Sequence, residues 1–325
     1  MEVPCVRVAR EAGEETRERL DDRGLLDHDH EITVADGRIY LPVTDATAVA
    51  DEYAVVTHDV PTRETQVMPA DLLGFEPSYE RLGEIVLLHE DDVERARRIA
   101  TAVMDSSLPV ATVANRASKV TGEFRTRDWT VLAGDGTTTV HREYGCSFAL
   151  DIAEVYFSPR LATERHRVTQ QVDADERVVD MFAGVGPFAI PAAKQGADVV
   201  GIDLNPVAVE YLRENAQRND VTERVTAIEG DVREVAGDDT DRADRIVMNL
   251  PHSADAFLDT TVALASDDCT IHYYDIQHED DPFGPGERAI RAAAEGYEVT
   301  VETRRTVRSY APHEQNVCLD VRLRA

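Results

Sequence analysis

The chain has 325 residues, 42% of them hydrophobic, enough for two or three compact domains. With no run of 18 apolar residues and no secretory pattern in MEVPCVRVAREAGEE, neither a membrane-spanning helix nor an export signal is expected. Cys5, Cys146, Cys269 and Cys318 form no CxxC pair, which argues against zinc fingers, a disulfide framework and thioredoxin-like chemistry, and no metal is expected. Asp and Glu number 63 against 34 Lys and Arg, for a net charge of −29, and the only lysines are Lys119 and Lys194. Acids spread along the whole chain are not a disordered tail; they read as adaptation to a salt-rich cytoplasm, where carboxylates hold water and salt screens their repulsion.

Residues 1–68 are expected to form a small N-terminal domain. It holds a charged helical piece over Glu11–Arg23 and the strand-like run EITVADGRIYLPV, with RIYLPV as a hairpin arm after Asp36-Gly37. Residues 69–80, with Pro69 and Pro77, read as a linker. Residues 81–165 read as a small mixed α/β middle domain: strand EIVLLHE, a helix over DDVERARRIATAVMDS, strand WTVLAG, a turn at Asp135-Gly136, then TTTVHREYGCSFALDI. From 166 to 325 strand and helix signals alternate. VVDMFAG, DVVGIDL, RVTAIEGDV, RIVMNL and TIHYYDI are strands, with helices over Pro187–Gln195, Pro206–Arg218 and Ala254–Ala265. That alternation predicts an α/β fold with a doubly wound, Rossmann-like sheet.

The sharpest motif is VVDMFAGVGPFAIP, a hydrophobic strand running into a glycine turn and a helix. Gly184 and Gly186 permit a tight turn and close approach of a ligand, and Pro187 suits a first helical turn. Asp203, nineteen residues after Gly184, is placed to accept both hydroxyl protons of a ribose. A nicotinamide dinucleotide would set its pyrophosphate at this loop, where Asp180 repels it. S-adenosylmethionine presents an ammonium group instead. Asp180, Asp203 and Asp231, at three successive strand ends, suit its amine, ribose and adenine. Phe182, Leu204 and Val232 beside them, with Gly184, Gly186 and Asn249, complete the expected cofactor set. Each feature alone has a plain structural reading: GxG is a common turn, and Asp203 can cap the helix from Pro206. Their order along the chain favours a cofactor site.

The fourth strand ends in Asn249-Leu250-Pro251-His252. A strand-end Asn with nearby carbonyls is suited to gripping a planar base edge, although Asn-x-Pro is also common in loops. His252 is read as a surface helix-cap residue. At this point VYFSPRLATER, VVDMFAGVGPFAIP, GIDLNP, GDVRE, RIVMNLPHSADAFLD and IHYYDI together resemble the archaeal and eukaryotic tRNA (guanine-37-N1)-methyltransferase family. The resemblance is strong from about residue 80 to 325 and weaker over the first 70.

That resemblance implies an open, unknotted class I methyltransferase fold. The expected reaction is methyl transfer from S-adenosylmethionine to N1 of guanosine 37 in the tRNA anticodon loop. It casts Glu164 as general base, Arg125 as the cation that stabilises charge at O6, with Arg127 as the rival for that role, and Tyr156 as an aromatic beside the guanine. Asn249 and Pro251 would hold the base edge, and Arg160 and Arg165 would contact the substrate. Without the resemblance, Glu164 and Arg160 make a surface i,i+4 pair and Tyr156 a core residue. The nearest rival is a wyosine-pathway enzyme acting on the same nucleotide, by aminocarboxypropyl transfer or methylation of an intermediate; further off stand an NAD-dependent dehydrogenase and a non-catalytic RNA-binding protein. The expected partner is tRNA, its anticodon arm and outer corner, met by a cytoplasmic monomer with no protein partner. Net acidity opposes RNA binding at low salt; in high salt counterion release contributes little, and shape, stacking and hydrogen bonds must carry recognition.

Overall fold

A computed structural model describes residues 1–63, 66–118, 122, 124–235 and 243–325; Lys119 and Glu123 lie outside them. The chain divides into two compact units, Met1–Met68 and Pro69–Ala325. In the first, strands β1 (Glu2–Ala9), β2 (Thr33–Ala35), β3 (Arg38–Pro42) and β4 (Val55–Asp59) form an antiparallel sheet in the order β2-β3-β1-β4, with helix α1 over Gly13–Asp22. Asp36 and Gly37, at φ 49° and 71°, make the two-residue turn between β2 and β3. The buried Leu20 of α1 joins Val6 and Leu41 in this unit's core.

The second unit opens with helix α2 (Pro69–Leu73), within the stretch expected to be a linker. Leu73, Phe75 and Tyr79 pack against Val86, Ile99 and Val113, so the apolar residues between the prolines anchor the segment instead of tethering it loosely. A four-stranded sheet follows in the order β5-β6-β7-β8: β5 (Glu80–Leu82), β6 (Ile85–Leu88), β7 (Thr112–Arg116) and β8 (Trp129–Ala133). Helix α3 (Val93–Asp105), whose N-cap Asp92 accepts from the Glu94 and Arg95 amides, covers it. Strands β9 (Thr138–Glu143) and β10 (Cys146–Asp151) form a hairpin, and helix α4 spans Ala162–Thr169.

The largest sheet has seven strands: β11 (Arg177–Asp180), β12 (Asp198–Asp203), β13 (Val225–Glu229), β14 (Ala243–Met248), β15 (Ala265–His278), β16 (Glu298–Ala311) and β17 (Glu314–Arg324), in the order β13-β12-β11-β14-β15-β17-β16. The first five strands in chain order are joined by four parallel pairings and β17 runs antiparallel to both neighbours, so the sheet is doubly wound with a reversed hairpin at one edge. Helices α5 (Ala189–Gln195), α6 (Pro206–Arg218), α7 (Val232–Val235), α8 (Leu258–Leu264) and α9 (Gly284–Ala293) complete it. Helix α6 starts where expected, because Pro206 sits in its first turn and Asn205 accepts from the Val207 amide at 3.0 Å. The helix expected over Ala254–Ala265 is a 3-10 turn (Ala254–Phe257) followed by α8.

The middle and third regions, read from sequence as separate domains, share one core running from Leu82 to Val221. Asn215 of α6, with no exposed surface, accepts from the Ala149 amide at 2.7 Å and donates to the Ala149 and Val185 carbonyls at 3.1 and 2.9 Å. One side chain thus supplies the edge of β10 with the partners a further strand would give, and ties it to the glycine turn. Among the described residues no helix is long and apolar enough to cross a membrane, and all four cysteines are buried and free.

Gly186 has φ 93°, and a Cβ there would stand 2.6 Å from Leu212 Cδ1 and 2.9 Å from Ile190 Cγ1. Gly186→Ala should therefore destabilise the protein by about 2–4 kcal/mol and lower Tm by roughly 5–10 °C in calorimetry; an unchanged Tm would mean that the turn has room to relax.

Candidate active site

The carboxyl ends of β11, β12, β13 and β14 open on a cavity of about 590 Å³, where the strand order reverses. Gly184, at φ 53°, presents its backbone to this cavity; only the Tyr156 carbonyl, at 4.0 Å, approaches the place of its missing Cβ. Its amide donates to Asp203 Oδ2 at 2.7 Å, and Asp203 Oδ1 accepts from the Asn205 amide at 2.9 Å. Burial raises the Asp203 pKa against these amides. Phe182, Leu204, Asp231 and Val232 line the same cavity, with Phe182 edge-on to Phe257 at 4.9 Å and the Arg233 guanidinium 4.7 Å over the Phe257 ring. Asp231 accepts from the Arg233 amide at 2.9 Å and pairs with its guanidinium, which holds its pKa below the usual carboxylate value.

Asp180 lies beneath the glycine turn, 1% exposed, and neither carboxylate oxygen has a hydrogen-bond partner. Burial pushes its pKa up to about 7, and the charge of Asp203 adds to the shift. A buried, unpartnered carboxylate fits a cationic donor and repels a pyrophosphate, so the site suits the ammonium of S-adenosylmethionine and not a nicotinamide dinucleotide.

Of the residues expected to act on substrate, Arg125, Tyr156, Asn249 and Pro251 line the cavity. Arg125, at φ 56°, places its guanidinium 5.7 Å from the Tyr156 ring centre. Arg127 instead lies 5.4 Å over Trp129 and lines a smaller adjoining cleft, as does Arg160, which pairs with Glu80 at 2.5 Å and not with Glu164. Arg165 touches the cavity, but it is 3% exposed and its donors go to Glu143 at 2.7 and 2.6 Å and to the Ser158 carbonyl at 3.1 Å. At the edge of the cavity it braces the SPRLATER segment. His252 is no surface cap: it lines the cavity, with Nε2 3.1 Å from the Tyr310 hydroxyl, and burial together with the Arg125 charge lowers its pKa.

Glu164 and Asp180 are not on the cavity wall. Glu164 is 3% exposed and accepts from Arg167 Nε and a terminal guanidinium nitrogen at 3.0 and 2.7 Å, from the Tyr274 hydroxyl at 3.0 Å and from Arg305 at 2.9 Å. Its place follows from strand register, since directly opposed residues of an antiparallel pair share a face. Ile276, Asn316 and Arg308 face one another across β15, β17 and β16 and line the cavity. Two residues away on β15 and β17, and three on β16 across its register shift, Tyr274, Cys318 and Arg305 make the next rung, which holds Glu164; behind it His272 and Asp320 pair at 2.7 Å, and Asp320 holds Arg167 at 2.5 Å. His272, Cys318 and Asp320 resemble a metal triad, but Arg167 and Arg245 already bond to them. None of Arg308, Tyr310 and Asn316 was identified from sequence; for Arg308 and Tyr310 the strand-like run EVTVETRRTVRSYA was the available signal, and Asn316 lies beyond it.

A glycine turn and three acids at successive ends of a doubly wound sheet define a class I S-adenosylmethionine-dependent methyltransferase. Residues 139–302 match the TRM5/TYW2 methyltransferase domain, residues 5–51 the tRNA methyltransferase 5 N-terminal domain and residues 65–137 the TYW2 N-terminal domain. The chain is 39% identical over 331 residues to the tRNA (guanine(37)-N(1))-methyltransferase Trm5b of Pyrococcus abyssi, covering 98% of both chains. It is 34% identical to the tRNA(Phe) (4-demethylwyosine(37)-C(7)) aminocarboxypropyltransferase of Pyrococcus horikoshii, over 79% of this chain and 93% of that one. The crystal structure of Pyrococcus abyssi Trm5b superposes with a TM-score of 0.72 at 37% identity, over 99% of this chain and 100% of that one. The complex of aTrm5 with tRNALeu superposes with a TM-score of 0.74 at 32% identity, over 98% and 99%. This chain belongs to the TRM5/TYW2 methyltransferase family.

Because the Asp180 pKa is raised on folding, the folded protein holds a proton between about pH 4 and pH 7 that the unfolded chain releases. Stability without cofactor therefore falls as pH rises through that window. Asp180→Asn should be about 1–4 kcal/mol more stable than the parent at pH 8, with the difference gone at pH 4, and should bind S-adenosylmethionine at least about 100-fold more weakly. Thermal melts and calorimetric titration check both; undiminished affinity would remove Asp180 from the cofactor site.

Proposed function

We propose that this chain transfers a methyl group from S-adenosylmethionine to N1 of guanosine 37 in tRNA, giving 1-methylguanosine. The observation that carries this reading is that Arg125, Tyr156, Asn249 and Pro251 share one cavity with Gly184, Asp203 and Asp231. When bound there, S-adenosylmethionine supplies an electrophilic methyl group that N1 displaces directly from sulfur. Asp203 would hold its ribose hydroxyls and Asp231 its adenine amino group, and Asp180, beneath the glycine turn, would attract its ammonium from behind the wall.

Guanine N1 carries a proton at neutral pH, and a base must remove it. Glu164 takes that role: exchange of the half-exposed Arg305 for an RNA phosphate frees one side of the carboxylate, while Arg167 and Tyr274 keep it oriented. As the proton leaves, negative charge builds on O6 and Arg125 stabilises it. Tyr156 stacks on the base, Asn249 and Pro251 hold its edge, and Arg160 in the adjoining cleft meets phosphate. Holding both reactants in one cavity supplies much of the rate. Residues 69–325 grip the anticodon arm and residues 1–68 the outer corner of the tRNA, and the enzyme works as a monomer in a salt-rich cytoplasm. Aminocarboxypropyl transfer is the second reading, favoured by the identity to the Pyrococcus horikoshii enzyme; that match covers 79% of this chain, against 98% for the N1-methyltransferase.

Incubated in molar KCl with tRNA transcripts, Glu164→Gln should keep cofactor affinity and lower kcat by about 10²–10⁴-fold. Arg125→Ala should lower kcat by about 10²–10³-fold and Arg127→Ala by no more than a few-fold. Nucleoside mass spectrometry reads the product. Equal losses for the two arginine variants would reject the assignment of Arg125, and an aminocarboxypropyl mass shift would move the chain to the second reading.

A further inference from the structure

Behind the cavity, the Arg167 guanidinium lies between two buried carboxylates. Its Nε and one terminal nitrogen donate to Glu164 at 3.0 and 2.7 Å, and its two terminal nitrogens donate to Asp320 at 2.5 and 3.1 Å. The buried His272 lies against Asp320, with Nδ1 2.7 Å from Oδ1, and its other ring nitrogen, Nε2, is 2.8 Å from Arg245 Nη1. A guanidinium only donates, so Nε2 accepts and the ring proton sits on Nδ1, facing Asp320. His272 is therefore neutral, in keeping with the burial that lowers its pKa. Arg245 is itself balanced by Glu176 at 2.7 Å. The other groups that face Glu164 are the Tyr274 hydroxyl of β15 and Arg305 of β16, with the Cys318 thiol of β17 beside Arg167. Burial raises the pKa of the phenol and of the thiol, which keeps both uncharged. Val168 and Phe188 pack with Tyr274 and Cys318 and add no charge.

Charge counting then decides what Asp320 does. Once Arg305 has exchanged for RNA phosphate, Glu164, Arg167 and Asp320 together carry one negative charge. A proton taken by Glu164 leaves that cluster neutral. Without the Asp320 charge, the same proton would leave a buried, unpaired cation, which a low-dielectric site penalises heavily. We propose that Asp320 is a positioning residue for the methyl transfer: by sharing Arg167 it keeps Glu164 oriented and electrostatically ready for the guanine proton. In the step it serves, the N1–H bond breaks, the proton passes to Glu164, and the electron pair left on N1 forms the new bond to the methyl carbon. The inference rests on the reading of Glu164 as the base. Asp320 does not line the cavity, and it acts through Arg167.

The test measures kcat and KM in molar KCl on a tRNA transcript with guanosine at position 37, for the full-length parent and four variants: Glu164→Gln, Asp320→Asn, Glu164→Gln/Asp320→Asn and Arg167→Gln/Asp320→Asn. Calorimetric cofactor binding is the control for folding. Asp320→Asn should lower kcat by about 10–100-fold and change KM by less than about 3-fold. In the Glu164→Gln background the same substitution should cost less than about 3-fold, because the group it serves is gone. The Asp320→Asn deficit should narrow as pH rises, since hydroxide then takes over removal of the N1 proton. Arg167→Gln/Asp320→Asn removes one charge of each sign, and should recover kcat by at least about 5-fold over Asp320→Asn alone. An unchanged kcat, a loss carried by KM, an equal fold loss with and without Glu164, or a charge-balanced double variant no faster than Asp320→Asn would each overturn the assignment. Should Asp320→Asn fail to fold, the charge-balanced double variant decides by itself: kcat within about 10-fold of the parent supports the assignment and a larger loss overturns it. Glu164→Gln as active as the parent would be a different result, one that removes the underlying reading and this inference with it.

Discussion

The pairing of β15, β17 and β16 fixes what stands at the reaction cavity and what stands behind it. Ile276, Asn316 and Arg308 form the rung at the cavity; Tyr274, Cys318 and Arg305 the next; His272 and Asp320 the third. Successive rungs on one face are about 7 Å apart, and a one-residue slip would turn every one of these side chains to the other face. An irregularity between Thr306 and Arg308 restores Arg308 to its place opposite Asn316. Along this face hydrogen bonding changes in one direction. The cavity rung holds unpartnered atoms, the middle rung holds a carboxylate shared by two arginines and a tyrosine, and the last is a closed ion-pair network.

Two buried aspartates make the same contrast. Asp180 and Asp320 are each 1% exposed, and burial disfavours the charge on both. Asp320 has His272 and Arg167 against it, which hold its pKa well below the usual range; Asp180 has no such partner and titrates near neutrality. The paired carboxylate stabilises a strand junction, while the unpaired one weakens the folded state and keeps its electrostatic attraction for a cation. Asn215 makes that arrangement tolerable mechanically, since it fastens the glycine turn above Asp180 to the hairpin leading to Tyr156.

The elements that were legible in the sequence carry local signals. Helix α6 has its cap and proline, α3 its N-cap Asp92, β2 and β3 their Asp-Gly turn, and the cofactor loop is one continuous stretch. The misreadings come where distant residues decide. Nothing local to Arg165 shows that Glu143, 22 residues away, pairs with its guanidinium. His252 looked like a surface cap because Tyr310 is 58 residues distant. Glu164 was marked by resemblance, but its burial depends on Tyr274, 110 residues further along. The prolines around 69–80 suggested a tether, and the apolar residues among them found a core. The C-terminal hairpin left no motif to read: its cavity residues alternate with solvent-facing ones, and only strand pairing shows which set faces inward.

The cysteines lie at informative places in this architecture. Cys5 is in the core of the first unit, Cys146 begins β10, and Cys269 and Cys318 sit on the two strands of the ladder. Burial raises the pKa of all four thiols, which suppresses the reactive thiolate in the folded protein. Alkylation must therefore wait for local opening, so the labelling rate at each thiol measures how often its surroundings come apart. The chain carries its own reporters of sub-global unfolding, one in the N-terminal body and three in the larger one, with no foreign probe introduced.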